Sequence, residues 1–375
     1  MLLGIVFVII FLSILVLVHE LGHFLAAKKF GLLVEEFGIG LPPRIWGKKI
    51  GETIYSINAL PFGGFVKILG EDREDGKVSK ADKEILVVEM EEKIIVSENQ
   101  LAIDEKLSVE KIVVSDNRNF NSLSIGRRML IIIAGVLMNF LLGWLVISIV
   151  FAIGSAQAIV ITQVFKNSPA ESIGLQVGDK IISTSVDNFI KFTNDNRGKE
   201  ITLKIERNAG VKEFLVTPRL NPPSGEGALG IGLIETGAQR QNIFSSIWDG
   251  LKTSLQIIQL VFLAIFNLFK QLFTTGGVNL AGIAGPVGIV KVTAQAENLG
   301  FNYLLQLLAL ISLNLVVINI FPFPALDGGR LLFLLIEKIK GSPLPIKFEK
   351  YANSAGMALL LILMVAITVR DIIKF

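Results

Sequence analysis

The chain has 375 residues, of which 51% are hydrophobic and 18% are charged, and its mean hydropathy is +0.61. This composition excludes a soluble globular protein and a disordered chain, because too few polar side chains are available to cover a surface in water. The absence of cysteine excludes disulfides, thiolate metal sites and cysteine nucleophiles. The net charge is +3. Since loops of membrane proteins usually carry Lys and Arg, this charge predicts no nucleic-acid partner.

The apolar segments predict an α-helical polytopic membrane protein with about four transmembrane helices. The first apolar segment starts at Leu2 and continues to Ala27. The second helix is expected in residues 127–154, the third transmembrane segment in 301–340 and the fourth helix in 341–375.

Two regions of different character follow the first helix. Residues 31–70 are rich in Gly and Pro, and their pattern predicts strands and turns. Because this stretch is apolar without being helical, we expect a re-entrant β-hairpin beside the first helix, so that 1–70 form one region. Residues 71–126 form an acidic insertion. Its positions 71–125 hold 14 Asp or Glu and 8 Lys or Arg, a net charge of −6. It is interpreted as cytoplasmic, either a solvated spacer or a small β module.

The region between the second and third spans divides in two. Residues 155–235 contain short β-rich runs and predict a soluble, inserted α+β domain. Residues 236–300 contain a long amphipathic helix at 243–273, followed by a GPVG loop at 285–288. We interpret the helix as lying in the membrane interface, with a further span as the alternative.

Basic residues predict the orientation of the spans. Lys and Arg flank the loops at 28–127 and 338–350. The positive-inside rule therefore places both loops in the cytoplasm of a multi-pass membrane protein. The 155–235 domain then lies outside.

The most informative motif is HELGH at residues 19–23, which holds both histidines of the chain. On a helix, His19 and His23 lie on one face and can bind one metal ion, and Glu20 is then placed to act as a general base. Ionisable residues inside a membrane helix are costly, so they indicate a functional site.

A zinc site of this kind needs a third protein ligand. With no other His and no Cys, that ligand must be a carboxylate, and the only acids in residues 276–336 are Glu297 and Asp327. Asp327 follows two prolines and precedes two glycines, a sequence that breaks a helix at membrane depth. We therefore predict that Asp327 is the third ligand. The alternatives are that it caps the next helix or pairs with Arg330.

These motifs together resemble the site-2 protease family of intramembrane zinc metalloproteases, in particular its bacterial regulator-of-sigma-E protease branch. The similarity includes HELGH, FGIG at 37–40, NALPFGGFVK at 58–67, GPVG, and residues 314–329 with the LDG motif at 326–328. It implies that His19, His23 and Asp327 bind Zn2+ and that Glu20 is catalytic. It also implies that the substrate-binding residues include Asn314, Asn319, Gly63 and Gly64. Hydrogen bonding between helices is the alternative role of the two asparagines.

Residues 168–181, SPAESIGLQVGDKI, resemble the corresponding segment of bacterial PDZ domains. The similarity implies that 155–235 form one PDZ-like domain with a peptide ligand, whose groove includes Gly230 and Gly232. The alternative is a spacer domain without a ligand.

The resulting prediction is a zinc endopeptidase that cleaves transmembrane segments of single-span membrane proteins within the lipid bilayer, in regulated intramembrane proteolysis. By resemblance, its substrates are of the anti-sigma-factor or signal-peptide-remnant type, and it is located in the bacterial inner (cytoplasmic) membrane. The alternative is a membrane-anchored PDZ scaffold with a structural or inactive metal site.

Overall fold

A computed structural model describes residues 2–71, 118–154, 158–182, 185–207, 210–223, 225–237, 240–274 and 285–374. Nearly all of the predicted acidic insertion, residues 72–117, lies outside the described residues. The described helices and strands follow in chain order: α1 (Leu2–Lys29), β1 (Val34–Ile50), β2 (Thr53–Ile68), α2 (Ile125–Ile153), β3 (Ala158–Val164), α3 (Pro169–Ser172), β4 (Lys180–Ile181), α4 (Val186–Asp195), β5 (Ile201–Arg207), β6 (Gly210–Val216), β7 (Ile231–Thr236), α5 (Ile243–Thr274), α6 (Pro286–Leu299), α7 (Phe301–Ile320), α8 (Asp327–Lys340) and α9 (Ile346–Lys374).

Five of the described helices are long and apolar enough to cross a membrane. They are Leu3–Lys29, Ile125–Ile153, Ile243–Leu268, Phe301–Ile320 and Ile346–Ile373. Four of these coincide with predicted spans. The fifth belongs to α5, the helix interpreted above as interfacial, and its length and composition also suit the alternative of a further span. The protein is thus a mostly helical, polytopic membrane protein with two β-sheets among its described residues.

The chain divides into two compact units, and helices α1, α2, α7 and α9 contribute residues to both. One consists of Met1–Leu15, Leu137–Ile318 and Ile362–Phe375, and we call it the sheet unit. The other consists of Val16–Val136 and Asn319–Leu361, and we call it the histidine unit because it holds His19 and His23.

In the histidine unit, α1 ends in the way its sequence indicates. Lys28 and Lys29 occupy its last turn, where their charges are favourable at the negative end of the helix dipole. Gly31 then adopts a φ of +74°, and the Leu32 N–H donates to the Ala27 carbonyl, as in a glycine C-cap. The chain turns here into the hairpin.

The predicted hairpin is present as β1 and β2, but part of β1 pairs with two different segments of β2. Residues 34–39 of β1 pair on one side with 64–68 of β2 and on the other with 54–57, while 44–50 pair with 53–58. Among the described residues, the 64–68 segment therefore has β1 on one side only. Buried polar contacts fix this register, such as the 2.8 Å hydrogen bond from the Thr53 hydroxyl to the Val34 carbonyl.

The core of the histidine unit joins the hairpin to the helices. Its buried apolar residues are contributed by the end of α1 and the loop after it, both strands, the 3-10 turn at Phe120–Ser122, the start of α2 and helix α8: Ala27, Leu32, Val34, Ile68, Phe120, Ile131, Ile132 and Leu334. A buried ion pair between Arg128 and Glu337, at 2.5 Å, connects α2 to α8. These contacts fix the helix that carries Asp327.

In the sheet unit, the segment predicted as an α+β domain contains a five-stranded sheet in the order β6-β5-β4-β3-β7, with antiparallel pairing throughout. Alternating residues of β5 are buried, as its sequence pattern predicts for a strand with one solvated face. Asp179, directly before β4, is buried and accepts hydrogen bonds from the Arg207 guanidinium at 2.6 Å. This carboxylate raises the pKa of Arg207.

Candidate metal centre

Helix α1 brings the two histidines together at one site. His19 and His23 lie one turn apart, and their rings meet edge to face with centroids 4.7 Å apart. The two Nε2 atoms are 3.1 Å apart. Helical spacing alone accounts for this arrangement, because residues four positions apart share one face.

Asp327 reaches the same place because the third transmembrane segment is broken. Helix α7 ends at Ile320 and α8 begins at Asp327, so the predicted segment 301–340 is two helices joined by a Pro-containing turn. A Cβ atom at Gly328 would lie 2.1 Å from the Phe321 carbonyl oxygen, and one at Gly329 would lie 2.3 Å from that of Phe323. Both glycines are therefore required where α8 packs onto the preceding turn.

The three candidate ligand atoms converge in one small volume. Asp327 Oδ2 lies 2.9 Å from His19 Nε2 and 3.5 Å from His23 Nε2. Ligand atoms about 2.0–2.1 Å from a tetrahedral zinc lie about 3.3 Å from one another, which is close to these separations. Asp327 Oδ2 is buried and has no hydrogen-bond partner of good geometry among the described residues. Two nitrogens and an orphaned carboxylate oxygen fit the donor set of a zinc site.

Helix α2 orients the His23 ring. The sequence did not predict this contact. His23 Nδ1 lies 2.9 Å from the Ile131 carbonyl oxygen. Since a carbonyl can only accept, Nδ1 carries the hydrogen and the Nε2 lone pair is left for a metal. No feature of the sequence indicates that the Ile131 carbonyl orients His23. Gly135 on the same helix packs against the His23 ring, where a Cβ atom would lie 2.4 Å from Nε2; a glycine inside a helix is the only sequence feature that could have indicated this contact.

The predicted catalytic residue faces the hairpin. Glu20 lies within electrostatic range of His19, His23 and Asp327. A Cβ atom built at Gly64 would lie 3.7 Å from Glu20 Cγ, so the 64–68 segment passes beside Glu20. Gly63, with a φ of +92°, precedes Gly64 where the paired segment begins.

The other predicted residues lie in different surroundings. Asn314 and Asn319 are half-buried on α7, and Asn314 Nδ2 donates to the Leu310 carbonyl at 2.8 Å. In the sheet unit, α4 and the segment leading into β7 line a groove, which includes Leu229, Ile231 and Leu233. Gly230 and Gly232 alternate with these lining residues.

The alternative roles of Asp327 find no support in these contacts. Leu326 occupies the N-cap position of α8, and Asp327 is in its first turn. Arg330 forms an ion pair with Glu71, whereas Asp327 contacts both histidines. Asp327 therefore lies beside both histidines, and its role as the third ligand stays a prediction.

Comparison with known proteins agrees with this chemistry. Residues 7–363 match the description "Peptidase family M50". The chain is 34% identical to a putative zinc metalloprotease of Clostridium perfringens, over 98% of both chains. It is 31% identical to the regulator of sigma-W protease RasP of Bacillus subtilis, over 98% of this chain and 97% of that one. It is 29% identical to the probable protease eep of Enterococcus faecalis, over 99% of both. The prediction of family, enzyme class and zinc dependence is confirmed, and the chain belongs to peptidase family M50, the site-2 protease family of zinc-dependent membrane proteases.

Proposed function

We propose that this protease cleaves transmembrane segments of single-span membrane proteins inside the bilayer. The observation that carries the proposal is the position of the candidate metal centre. His19 and His23 belong to a helix that is apolar and long enough to span a membrane, and Asp327 joins them from the broken segment. Ionisable residues inside a spanning helix mark a functional site, and the bonds that this site cleaves are therefore proposed to lie at membrane depth.

In this proposal His19, His23 and Asp327 hold zinc, and Glu20 is the catalytic acid and base. Bound zinc supplies a Lewis acid that polarises a carbonyl and makes water more acidic. Glu20 accepts the proton of the attacking water and returns it to the nitrogen of the leaving amine. The Ile131 carbonyl holds His23 in the tautomer that leaves Nε2 free to bind.

A helical substrate must be opened before its peptide bonds can be attacked, because its carbonyls are paired within its own backbone ladder. The 64–68 segment suits this task, since it lies beside Glu20 and has β1 on one side only. An unwound substrate can pair with such a strand edge, with Gly63 and Gly64 at its start. The amides of Asn314 and Asn319 are proposed to bind the substrate backbone.

The segment around the five-stranded sheet is proposed to be a PDZ-like domain outside the cell membrane, with its peptide ligand in the groove between α4 and β7. Loops 28–127 and 338–350 are then cytoplasmic. The groove carries apolar residues on its β7 side, Ile231 and Leu233, which suits an extended peptide added to a strand edge.

The substrate class is proposed from one relative. The Bacillus subtilis protein is named a regulator of sigma-W protease, so an anti-sigma factor, already shortened on its outer side, is the substrate type we propose. A signal-peptide remnant has the same chemistry, a single apolar span with one short flank.

The test uses the full chain, reconstituted in lipid with a single-span test substrate. Glu20→Gln is expected to abolish cleavage while zinc content stays at the wild-type level. Asp327→Ala is expected to lose both cleavage and bound zinc. Glu297→Gln, which changes the other acid of residues 276–336, is the matched control. It should keep both cleavage and bound zinc. Cleavage that persists in Glu20→Gln would contradict the mechanism, whereas a wild-type protein that binds zinc but cleaves nothing would favour the scaffold alternative.

A further inference from the structure

The turn between α7 and α8 holds an unusual backbone conformation next to the third ligand. Ala325, two positions before Asp327, has a φ of +75°. Residues that carry a Cβ atom rarely adopt this left-handed conformation, because Cβ approaches the following carbonyl. Surrounding contacts must therefore hold Ala325 in place.

One such contact comes from helix α9. Asn353 Oδ1 accepts a hydrogen bond from the Ala325 N–H at 3.0 Å. Asn353 is half-buried in a helix that is otherwise apolar enough to span a membrane. A polar side chain in such a helix is costly unless it is used, and here it satisfies a backbone donor that the broken helix leaves free.

A second contact, one turn further along α9, brings the helix against the same turn. A Cβ atom built at Gly356 would lie 2.5 Å from the Pro324 carbonyl oxygen. Only glycine allows this approach, which places Asn353 within reach of Ala325. Asn353 and Gly356 thus act on adjacent residues of one turn.

We infer that Asn353 is a positioning residue for the metal centre. It holds Ala325 in the left-handed conformation that directs Asp327 Oδ2 towards His19 and His23. Asp327 is the first residue of α8, so the direction of its carboxylate follows from the turn before it. This inference rests on the proposed role of Asp327 as a ligand. Asn353 itself acts only through the backbone.

The test is a titration of Co2+ into the metal-free full-length protein in detergent, followed by the visible d–d absorption of the bound ion. Asn353→Ala is expected to weaken Co2+ binding about 10- to 100-fold, as for the loss of other residues that orient ligands, and to change the spectrum. Asn353→Asp keeps an oxygen acceptor for the Ala325 N–H and is expected to bind as the wild type does. Ser354→Ala, at an exposed neighbouring position, is the matched control.

A double variant tests the route of the effect. Glycine adopts positive φ without the cost that alanine incurs, so Ala325→Gly is expected to restore most of the binding lost in Asn353→Ala. A merely structural role of Asn353 predicts no such rescue. Wild-type affinity and spectrum in Asn353→Ala, or a failure of Ala325→Gly to rescue the loss, would overturn the inference.

Asp327→Ala separates this inference from the proposed function. If Asp327→Ala loses Co2+ binding while Asn353→Ala keeps it, only the positioning role fails. If Asp327→Ala binds Co2+ with unchanged affinity and spectrum, the proposed ligand set fails, and the positioning role fails with it.

Discussion

The imidazole of His23 packs directly against the backbone of Gly135. A Cβ atom at position 135 would lie 2.4 Å from His23 Nε2 and 3.0 Å from His19 Cε1. Helix α2 therefore leaves space for both rings by the absence of a side chain. The same helix fixes the His23 ring through the Ile131 carbonyl, so it forms one wall of the candidate metal centre.

Gly135→Ala should disrupt this centre without a large change in the fold. The added methyl group would lie only 2.4 Å from His23 Nε2, so both rings must shift away from helix α2. We expect zinc affinity to fall about 10- to 100-fold, the range seen when residues that orient ligands are changed, with a parallel loss of cleavage. Competition with a chromophoric chelator measures the affinity.

Gly126→Ala is the matched control for that variant. It lies in the same helix, and a Cβ atom there meets nothing within 4 Å. Since alanine favours helix more than glycine does, zinc binding should be unchanged and stability slightly higher. Equal zinc affinity in the two variants would show that the packing of Gly135 against the histidines has no functional weight.

Gly64→Ala should impair catalysis while zinc remains bound. The new methyl group would lie 3.0 Å from the Gly38 carbonyl oxygen and 3.7 Å from Glu20 Cγ, which displaces the 64–68 segment beside the proposed catalytic carboxylate. A misplacement of about 1 Å can cost up to about 100-fold in rate, so we expect a clear fall in kcat/KM. Gly47→Ala, whose close contact is the flexible Arg44 side chain at 3.2 Å, should cleave normally.

Arg128→Leu should destabilise the histidine unit. The Arg128 and Glu337 side chains are only 6% and 10% exposed, so removal of one partner leaves a buried charge that costs roughly 3–5 kcal/mol. The midpoint temperature of thermal unfolding in detergent should fall clearly. Arg128→Met combined with Glu337→Leu should recover most of the loss, because a buried pair can be replaced by apolar packing. A double variant no more stable than Arg128→Leu would contradict this account.

The turn of the hairpin should loosen in acid. The hydrogen bond from Lys28, aided by Arg118, holds the pKa of Glu52 below its ordinary value. A carboxylate with a lowered folded pKa stabilises the fold above its unfolded pKa, and this contribution is lost as the pH falls through the folded value. Because these side chains are partly exposed, high salt should weaken the effect.

Hydrogen exchange of the amides around Gly51 checks this prediction. Exchange should accelerate, beyond its intrinsic pH dependence, below the ordinary range of a glutamate pKa. Glu52→Gln is the control, and its turn should show no such acceleration. An identical pH profile in the two proteins would mean that the ion pairs do not hold the turn.

The spans, the hairpin and the residues of the candidate centre were predictable because each depends on local pattern. Apolar runs of membrane length identify helices, and two histidines one turn apart share a face whatever the fold. With no cysteine and only those two histidines, the third ligand had to be a carboxylate, and the apolar segments offered very few. The character of α5 was less predictable, since an amphipathic helix of that length suits an interface and a span alike.

By itself, the sequence determined which residue types are available for a metal and that they lie in membrane-spanning segments. The tertiary structure alone decided how they are oriented. The Ile131 carbonyl, the space at Gly135 and the Asn353 bond to Ala325 all join positions far apart in the chain. The contacts at Ile131 and Ala325 use a backbone carbonyl and a backbone N–H, groups that carry no side-chain signature. These two contacts appear only when packing brings α1 against α2 and α9 against the turn before α8.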